Sequence, residues 1–255
     1  MTFNCLSKNR FISRAAIFFF AVSLCLNAQE GIITPGKPKR GNRHPAFAKV
    51  VDDPSLPRVL IIGDSISIGY TAPVRAQLEG EANVHRIRAN AGNSGRAIGK
   101  LDHWLDPKNG AWDVIHFNFG LWDLCYRSPQ SKNQGNRDKV HGKLTHDIPT
   151  YSKNLETIVK RLKQTGATLI FAMTTPVPKG EAGRKLGDDL LYNEAARKVM
   201  QKHGVIINDL YALAAPSMKQ WGKAPGDVHF KPQGYVALGK QTAEVIRRTL
   251  PKKTK

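Results

Sequence analysis

The fold is decided by the stretch Pro57-Arg58-Val59-Leu60-Ile61-Ile62-Gly63-Asp64-Ser65-Ile66-Ser67-Ile68-Gly69-Tyr70. Val59 to Ile62 form an unbroken apolar run, typical of a strand buried on both faces of a parallel sheet, and Gly63 permits a sharp exit. Ser65 then stands between the first strand and a helix. Because ligands bind at the carboxyl ends of parallel strands, Ser65 is a candidate nucleophile, and a plain helix N-cap is the alternative. The unpaired N–H groups of the first helical turn could donate to an oxyanion.

Apolar runs and amphipathic segments alternate along the rest of the chain. Strands are predicted at 83–89, 112–119, 168–173 and 205–208, and helices at 72–78, 96–105, 151–164, 188–203 and 235–250. Such alternation requires right-handed crossovers, so we expect a doubly wound α/β fold with five parallel strands and helices on both faces.

The amino terminus has the features of a secretory signal peptide. Basic residues precede an apolar run, Ala15 to Leu26, that is too short to span a bilayer, and the small residue Ala28 suits cleavage. We expect residues 1–28 to be removed, residues 29–56 to form an extended leader, and residues 57–255 to form one domain. The protein is therefore predicted to be secreted or periplasmic, without a transmembrane span.

The cysteines predict no lipid anchor, no internal disulfide and no reactive thiol. The residues before Cys25 resemble a bacterial lipoprotein site, but Leu24 is bulkier than the usual small residue, so lipid anchoring at Cys25 is not expected. Removal of the signal peptide leaves Cys125 alone, which excludes an internal disulfide. We interpret Cys125 as a partly buried, inert thiol.

The chain is strongly basic, with a formal net charge of +19, of which three charges lie in the signal peptide. Such a charge favours anionic partners. Because no nucleic-acid motif is present and export is predicted, we expect no nucleic acid. An acetylated polysaccharide, acidic or sulfated, suits the predicted compartment better, although a soluble basic surface explains the charge equally well.

Three later segments carry candidate site residues. Asn90-Ala91-Gly92-Asn93-Ser94-Gly95 follows the second strand, so the bare backbone N–H of Gly95 could face the reacting centre, and a plain turn is the alternative. Gly120-Leu121-Trp122-Asp123 follows the third strand. Gly226-Asp227-Val228-His229 precedes the last helix, which could return His229 to Ser65 as a general base.

Gly63-Asp64-Ser65 and these three segments resemble, in order, the motif blocks of the SGNH hydrolases, also called GDSL-type esterases. The resemblance covers residues 58–250. It implies a flavodoxin-like sheet and a serine ester hydrolase that works through an acyl-enzyme without metal or cofactor. It also implies that Ser65 is the nucleophile and an oxyanion donor, that Gly95 is a second donor, and that His229 is the base.

Two positions depart from the family pattern. Trp122 stands where the family has the Asn of Gly-X-Asn-Asp, and its indole N–H is a single donor; a substrate wall and core packing are the alternatives. Asn118, on the same side of the strand as Gly120, is another candidate for the missing donor. Gly226 stands where the family has Asp, so Asp227, two residues before His229, is the candidate triad acid.

The polar segment 124–147 is long for a loop inside a compact domain, which indicates a lid, a binding loop or a mobile segment. Its histidines, His141 and His146, lack partners at metal-site spacing and are interpreted as solvated.

No Gly-X-Ser-X-Gly pattern lies near Ser65, which argues against the other large serine-hydrolase fold. Export and charge favour a carbohydrate O-acetylesterase that acts on a polysaccharide. A lipolytic or thioesterase member of the same family is one alternative. A catalytically weak polysaccharide-binding protein is the other, because the supporting side chains at Trp122 and Gly226 are altered.

Overall fold

The computed structural model describes residues 44–251. The predicted signal peptide, Cys25 and the first part of the predicted leader lie outside these residues. Within the described range, no helix has the length and apolar character needed to cross a membrane.

The five-stranded parallel sheet predicted from the sequence is present. The strands are β1 (Arg58–Ile62), β2 (Asn83–Arg86), β3 (Val114–Phe117), β4 (Tyr126–Arg127), β5 (Lys143–Leu144), β6 (Thr168–Ala172) and β7 (Ile206–Asn208). Five of them form the parallel sheet in the order β2-β1-β3-β6-β7, and β4 and β5 form a separate antiparallel pair. The chain reverses its winding direction between β1 and β3, so a crevice is expected at the carboxyl ends of these two strands.

Helices cover both faces of the sheet. They are α1 (Ser65–Gln77), α2 (Ser94–Ile98), α3 (Leu101–Trp104), α4 (Ile148–Lys163), α5 (Asp188–Lys202), α6 (Leu210–Ala214), α7 (Met218–Trp221) and α8 (Pro232–Thr249). Single turns of 3-10 helix lie at Pro45–Phe47, Pro107–Asn109, Gln134–Asn136 and Ala215–Ser217. Helix α1 packs against α8, whereas α4 packs against both α2 and α5, so the two groups form the outer layers of the predicted α/β fold.

The core lies between the sheet and these helices. Val59, Leu60, Ile61 and Ile62 of β1 are all buried, as the apolar run predicts. In β3 even His116 is fully buried, and its Nε2 lies 3.1 Å from Nδ2 of Asn208. Burial lowers the pKa of His116 to about 3, because a charged imidazole is poorly solvated there.

Some helix and strand boundaries differ from the predicted ones. The single helix predicted at 96–105 is two short helices, because the chain leaves helical geometry at Gly99 and Lys100. Helix α1 begins at Ser65 rather than Ala72. Strand β2 ends at Arg86, whose guanidinium donates to the carbonyl oxygens of the residues that were expected to extend the strand.

The described part of the leader is attached to the domain. The side chain of Asn83 in β2 accepts a hydrogen bond from the backbone N–H of Asp53 and donates to the carbonyl oxygens of Asp53 and Leu56. Asp52 forms an ion pair of 2.7 Å with Arg58 in β1. Residues 52–56 therefore lie along the edge of the sheet at β2.

Segment 124–147 is tied to a second loop. The N–H of Tyr126 donates to the carbonyl of Gly183 at 2.6 Å, and the N–H of Lys139 donates to Ala182 at 2.9 Å. These contacts favour a binding loop over a mobile segment. Cys125, at its start, is buried, and burial raises the pKa of its thiol, which agrees with an inert side chain.

Candidate active site

Ser65 is delivered to the sheet edge by β1 and the start of α1. The N-cap is Asp64, whose Oδ1 accepts a hydrogen bond from the N–H of Ile66 at 2.9 Å. The alternative that Ser65 is itself an N-cap is therefore wrong. As the first residue of α1, Ser65 has an N–H that no helical carbonyl can accept, which leaves this donor available to a ligand.

Ser65, His229 and Asp227 form a continuous hydrogen-bonded chain. Nε2 of His229 lies 2.9 Å from Oγ of Ser65, and Nδ1 of His229 lies 2.6 Å from Oδ1 of Asp227. The same Asp227 oxygen accepts the backbone N–H of His229 at 2.9 Å. This is the arrangement in which an imidazole takes a proton from a hydroxyl while a carboxylate holds the correct tautomer.

The carboxyl group of Asp227 is held ionised. Partial burial favours its protonated form, but the hydrogen bonds from the backbone N–H and imidazole of His229 outweigh burial and lower the pKa of Asp227 below its ordinary value. Residues 227–229 have neither helical nor turn structure, so the side chains of Asp227 and His229 can meet across one intervening residue.

Gly226 explains why the acid is displaced by one residue from the family position. Its φ of +72° lies in the left-handed region, and a Cβ atom there would lie 2.8 Å from the carbonyl oxygen of Gly180. Only glycine suits this geometry. An aspartate at 226 would be strained, whereas residue 227 reaches the imidazole.

The loops after β2 and β3 are joined through the buried carboxylate of Asp123. This carboxylate accepts the N–H of Ser94 at 3.0 Å and its hydroxyl at 2.5 Å, and it lies 2.7 Å from Nδ1 of His146. A further bond, from the N–H of Ala91 to the carbonyl of Gly63 at 3.0 Å, connects the loop after β2 to the end of β1. The start of α2 is thus fixed from two sides.

Gly95 is the second residue of α2, so its N–H also lacks a helical acceptor. Its Cα faces the imidazole of His146. The interpretation of His146 as a solvated loop residue is therefore wrong, because its ring is mostly buried between Asp123 and Gly95. His141 is exposed, as expected.

The two candidates for the missing Asn donor are placed differently. Trp122 lines the same cavity as Ser65, and the guanidinium of Arg127 lies 4.6 Å from its ring centroid. Asn118 does not line that cavity, and its Nδ2 donates to the carbonyl of Ala172 at 2.7 Å. The Asn118 amide therefore joins the residue after β3 to β6, which disfavours an oxyanion role for Asn118. An oxyanion role for the Trp122 indole stays a prediction.

Ser65, Asp227 and His229 open into one cavity of about 560 Å³. Asn90 also lines it, with its Oδ1 fixed by the N–H of Gly92 at 3.0 Å. The volume falls in the range of about 300–1,000 Å³ that is usual for small-ligand sites. Within residues 44–251, no group of three or more His, Cys, Asp or Glu side chains is arranged to hold a metal ion.

Sequence reasoning missed several residues of this site. The role of Asp123 could have been found from its place beside Trp122 at the end of the third strand. Arg137 is placed by its contact with Glu181, 44 positions away, and the backbone of His146 by Tyr192, 46 positions away, and the sequence carries no local signal for either contact.

The profile of the GDSL-like Lipase/Acylhydrolase family matches residues 61–237. A lipase/acylhydrolase from Enterococcus faecalis superposes with a TM-score of 0.62 at 19% identity, covering 78% of this chain and 100% of that chain. Axe2, an acetylxylan esterase from Geobacillus stearothermophilus, has a TM-score of 0.58 at 15% identity, covering 74% of this chain and 94% of that one. At these identities the likeness is one of fold. A comparison with curated proteins found no match.

Proposed function

Because the chain belongs to the GDSL-like lipase/acylhydrolase family and is a serine ester hydrolase, we propose that it removes O-acetyl groups from a carbohydrate. The observation that carries this proposal is the hydrogen-bonded chain from Ser65 through His229 to Asp227, which opens into a cavity lined by charged, polar and aromatic side chains. The predicted signal peptide places the reaction outside the cytoplasm in this proposal.

In the proposed reaction, Oγ of Ser65 attacks the carbonyl carbon of the ester while Nε2 of His229 takes the hydroxyl proton. Asp227 stabilises the resulting imidazolium. The negative charge that develops on the carbonyl oxygen is stabilised by the N–H groups of Ser65 and Gly95. The bond between the carbonyl carbon and the sugar oxygen then breaks, His229 donates its proton to that oxygen so that the sugar leaves as an alcohol, and an acetyl group remains on Ser65.

The second half of the reaction repeats these roles with water. His229 takes a proton from a water molecule, which attacks the acetyl carbonyl, and the Ser65 oxygen leaves with the proton that His229 returns. Acetate is released and the free enzyme is restored. The nucleophile, the base and the acid of both half-reactions line the same cavity.

Two features support a carbohydrate over a lipid ester. The cavity is lined largely by polar and charged side chains, whereas a long acyl chain would be accommodated best by an apolar channel. Trp122 adds an aromatic surface, which suits the apolar face of a sugar ring. Two of the structurally similar proteins are named acetylxylan esterases, and this name describes those two proteins and not this chain.

The proposal is tested by measuring acetate release from acetylated polysaccharides and hydrolysis of p-nitrophenyl acetate, butyrate and octanoate. We expect the acetyl esters to be preferred and Ser65→Ala to abolish turnover. A preference for octanoate would instead indicate a lipolytic enzyme. Glycan binding without turnover of any ester would indicate a binding protein. Sequencing the amino terminus of the exported protein tests the predicted start near Gln29.

A further inference from the structure

The cavity that contains Ser65 is rich in basic side chains. Arg127, Arg137, Arg184 and Lys223 all line it. Arg127 and Arg137 come from segment 124–147, which the hydrogen bonds to Ala182 and Gly183 hold against the domain. Arg127 and Arg137 therefore belong to a part of the cavity wall that is held in place.

Two of these arginines share a single acid. Oε1 of Glu181 lies 2.7 Å from Nη1 of Arg137 and 2.9 Å from Nη1 of Arg184. Glu181 is fully buried, and its other carboxylate oxygen accepts the N–H of Gly183 at 2.7 Å. One carboxylate thus faces two guanidinium groups, which leaves an excess of one positive charge at the cavity wall.

Lys223 lines the cavity beside Asp227. Its Nζ lies 3.9 Å from Oδ2 of Asp227, and the side chain is 65% exposed. This exposed pair is expected to contribute little energy. Lys223 therefore adds positive charge near the triad without a fixed geometry.

Arg127 is the cation that lacks an acidic partner. No carboxylate among residues 44–251 forms an ion pair with it. Its guanidinium is positioned by the ring of Trp122, 4.6 Å away, and by a hydrogen bond that it donates to the carbonyl of Gly135. An arginine has five N–H donors, so most of those of Arg127 are available to a ligand.

From this arrangement we infer that Arg127, on the platform of Trp122, binds an anionic substituent of the substrate sugar. A carboxylate or a sulfate group matches the planar fork of a guanidinium, which can donate two parallel hydrogen bonds. Ser65 and Arg127 line one cavity, so the ester and the anionic group lie on the same sugar or on adjacent ones. The substrate class is an O-acetylated acidic sugar.

The inference rests on the proposed esterase function, and it gives Trp122 a role. At the position where the family has Asn, this chain has an aromatic ring that holds Arg127 from beneath. The side chain at 122 then acts in substrate binding, and the oxyanion is left to backbone N–H groups. The excess charge of Arg137 and Arg184 reinforces the attraction for an anion.

The test compares esters that differ in one substituent. Initial rates are measured on a methyl glucuronide monoacetate, on the matching methyl glucoside monoacetate, and on its 6-O-sulfated form. We expect a higher kcat/KM for the anionic esters. Arg127→Gln should lower the ratio of anionic to neutral kcat/KM by about tenfold or more, the effect of losing a charge-assisted hydrogen bond. Arg127→Lys should lower it less.

The control is Arg248→Gln, an exposed arginine on α8 outside the cavity, which should leave the ratio unchanged. Inhibition of the wild type by free glucuronate but not by glucose would support the site without any variant. Equal kcat/KM on all three esters would overturn the inference and leave the esterase function standing. A response to only one of the two anionic esters would identify the group as carboxylate or sulfate. Failure to hydrolyse any ester would overturn both proposals.

Discussion

The Cα of Gly95 lies so close to the imidazole of His146 that a Cβ atom at residue 95 would be 2.8 Å from Cε1 and 2.9 Å from Nε2 of His146. The imidazole cannot easily move, because its Nδ1 is 2.7 Å from the buried carboxylate of Asp123. Residue 95 therefore has space for a glycine only. The proposed oxyanion donor and its neighbouring histidine form one packed unit.

We expect Gly95→Ala to lower kcat about tenfold to a hundredfold with a smaller change in KM, because a displaced oxyanion donor acts mainly on the transition state. Steady-state kinetics on p-nitrophenyl acetate measures this. Gly99→Ala is the matched control, since a Cβ atom there would meet only the carbonyl oxygen of Arg96 at 3.9 Å. The double variant Gly95→Ala/His146→Ala should lose less than the product of the single losses. Normal kcat in Gly95→Ala would contradict the assignment.

Ser65→Ala and His229→Ala should each lower kcat by a factor of about a thousand or more, because the nucleophile and the base act as one unit. The loss in the double variant should then be close to that of either single variant. Far-ultraviolet circular dichroism should show an unchanged fold. Multiplicative losses in the double variant, or phosphonate labelling of any other serine, would refute the pairing.

Asp227→Asn should lower kcat by about a hundredfold or more, because an amide cannot stabilise the imidazolium and favours the wrong tautomer. The melting temperature should change little, since Oδ1 can still accept the N–H of His229. Asp106→Asn is the control: Asp106 makes the same local bond, to the N–H two residues later, outside the cavity. Near-normal turnover in Asp227→Asn would show that another group orients His229.

His116 predicts a pH dependence of stability. Its folded pKa is about 3, below the ordinary value of about 6.5, so below pH 6.5 the unfolded chain binds a proton that the native protein does not. The stability that depends on neutral His116 is fully present above pH 6.5. It falls by about 1.4 kcal/mol per pH unit as the pH drops toward 3.

The variant His116→Gln should therefore lose less stability between pH 6.5 and pH 4.5 than the wild type. The difference should approach about 2 kcal/mol, as measured by urea unfolding at the two pH values. The remaining titratable groups are common to both proteins and cancel in the comparison. Identical pH slopes would show that folding does not lower the pKa of His116.

The sheet and the order of the site segments were predictable because their signals are local. The apolar run Val59 to Ile62 can only be buried, and the alternation that follows specifies parallel strands. The helix predicted at 96–105 was wrong in detail because Asn93 caps an earlier start, accepting the N–H of Arg96 at 2.8 Å. Local pattern could not reveal a cap that depends on the loop conformation.

The parts that could not be predicted are those that long-range contacts create. Segment 124–147 has the composition of a mobile loop, yet hydrogen bonds to Ala182 and Gly183 hold it. The sequence places Asn118 on the side of the strand where an oxyanion donor is expected, but its amide donates a hydrogen bond to the carbonyl of Ala172 on the neighbouring strand. In each case the deciding partner lies more than 40 positions away in the chain.

The hydrogen bond between Ser65 and His229 joins residues that are 164 positions apart. It forms only when α8 docks on α1, where Gly69 and Gly239 leave room for Tyr235 and Pro73. A chain that lacks α8 would contain both Ser65 and His229, but not the helix packing that brings them together. During synthesis the nascent polypeptide is therefore expected to be inactive until α8 has packed against α1.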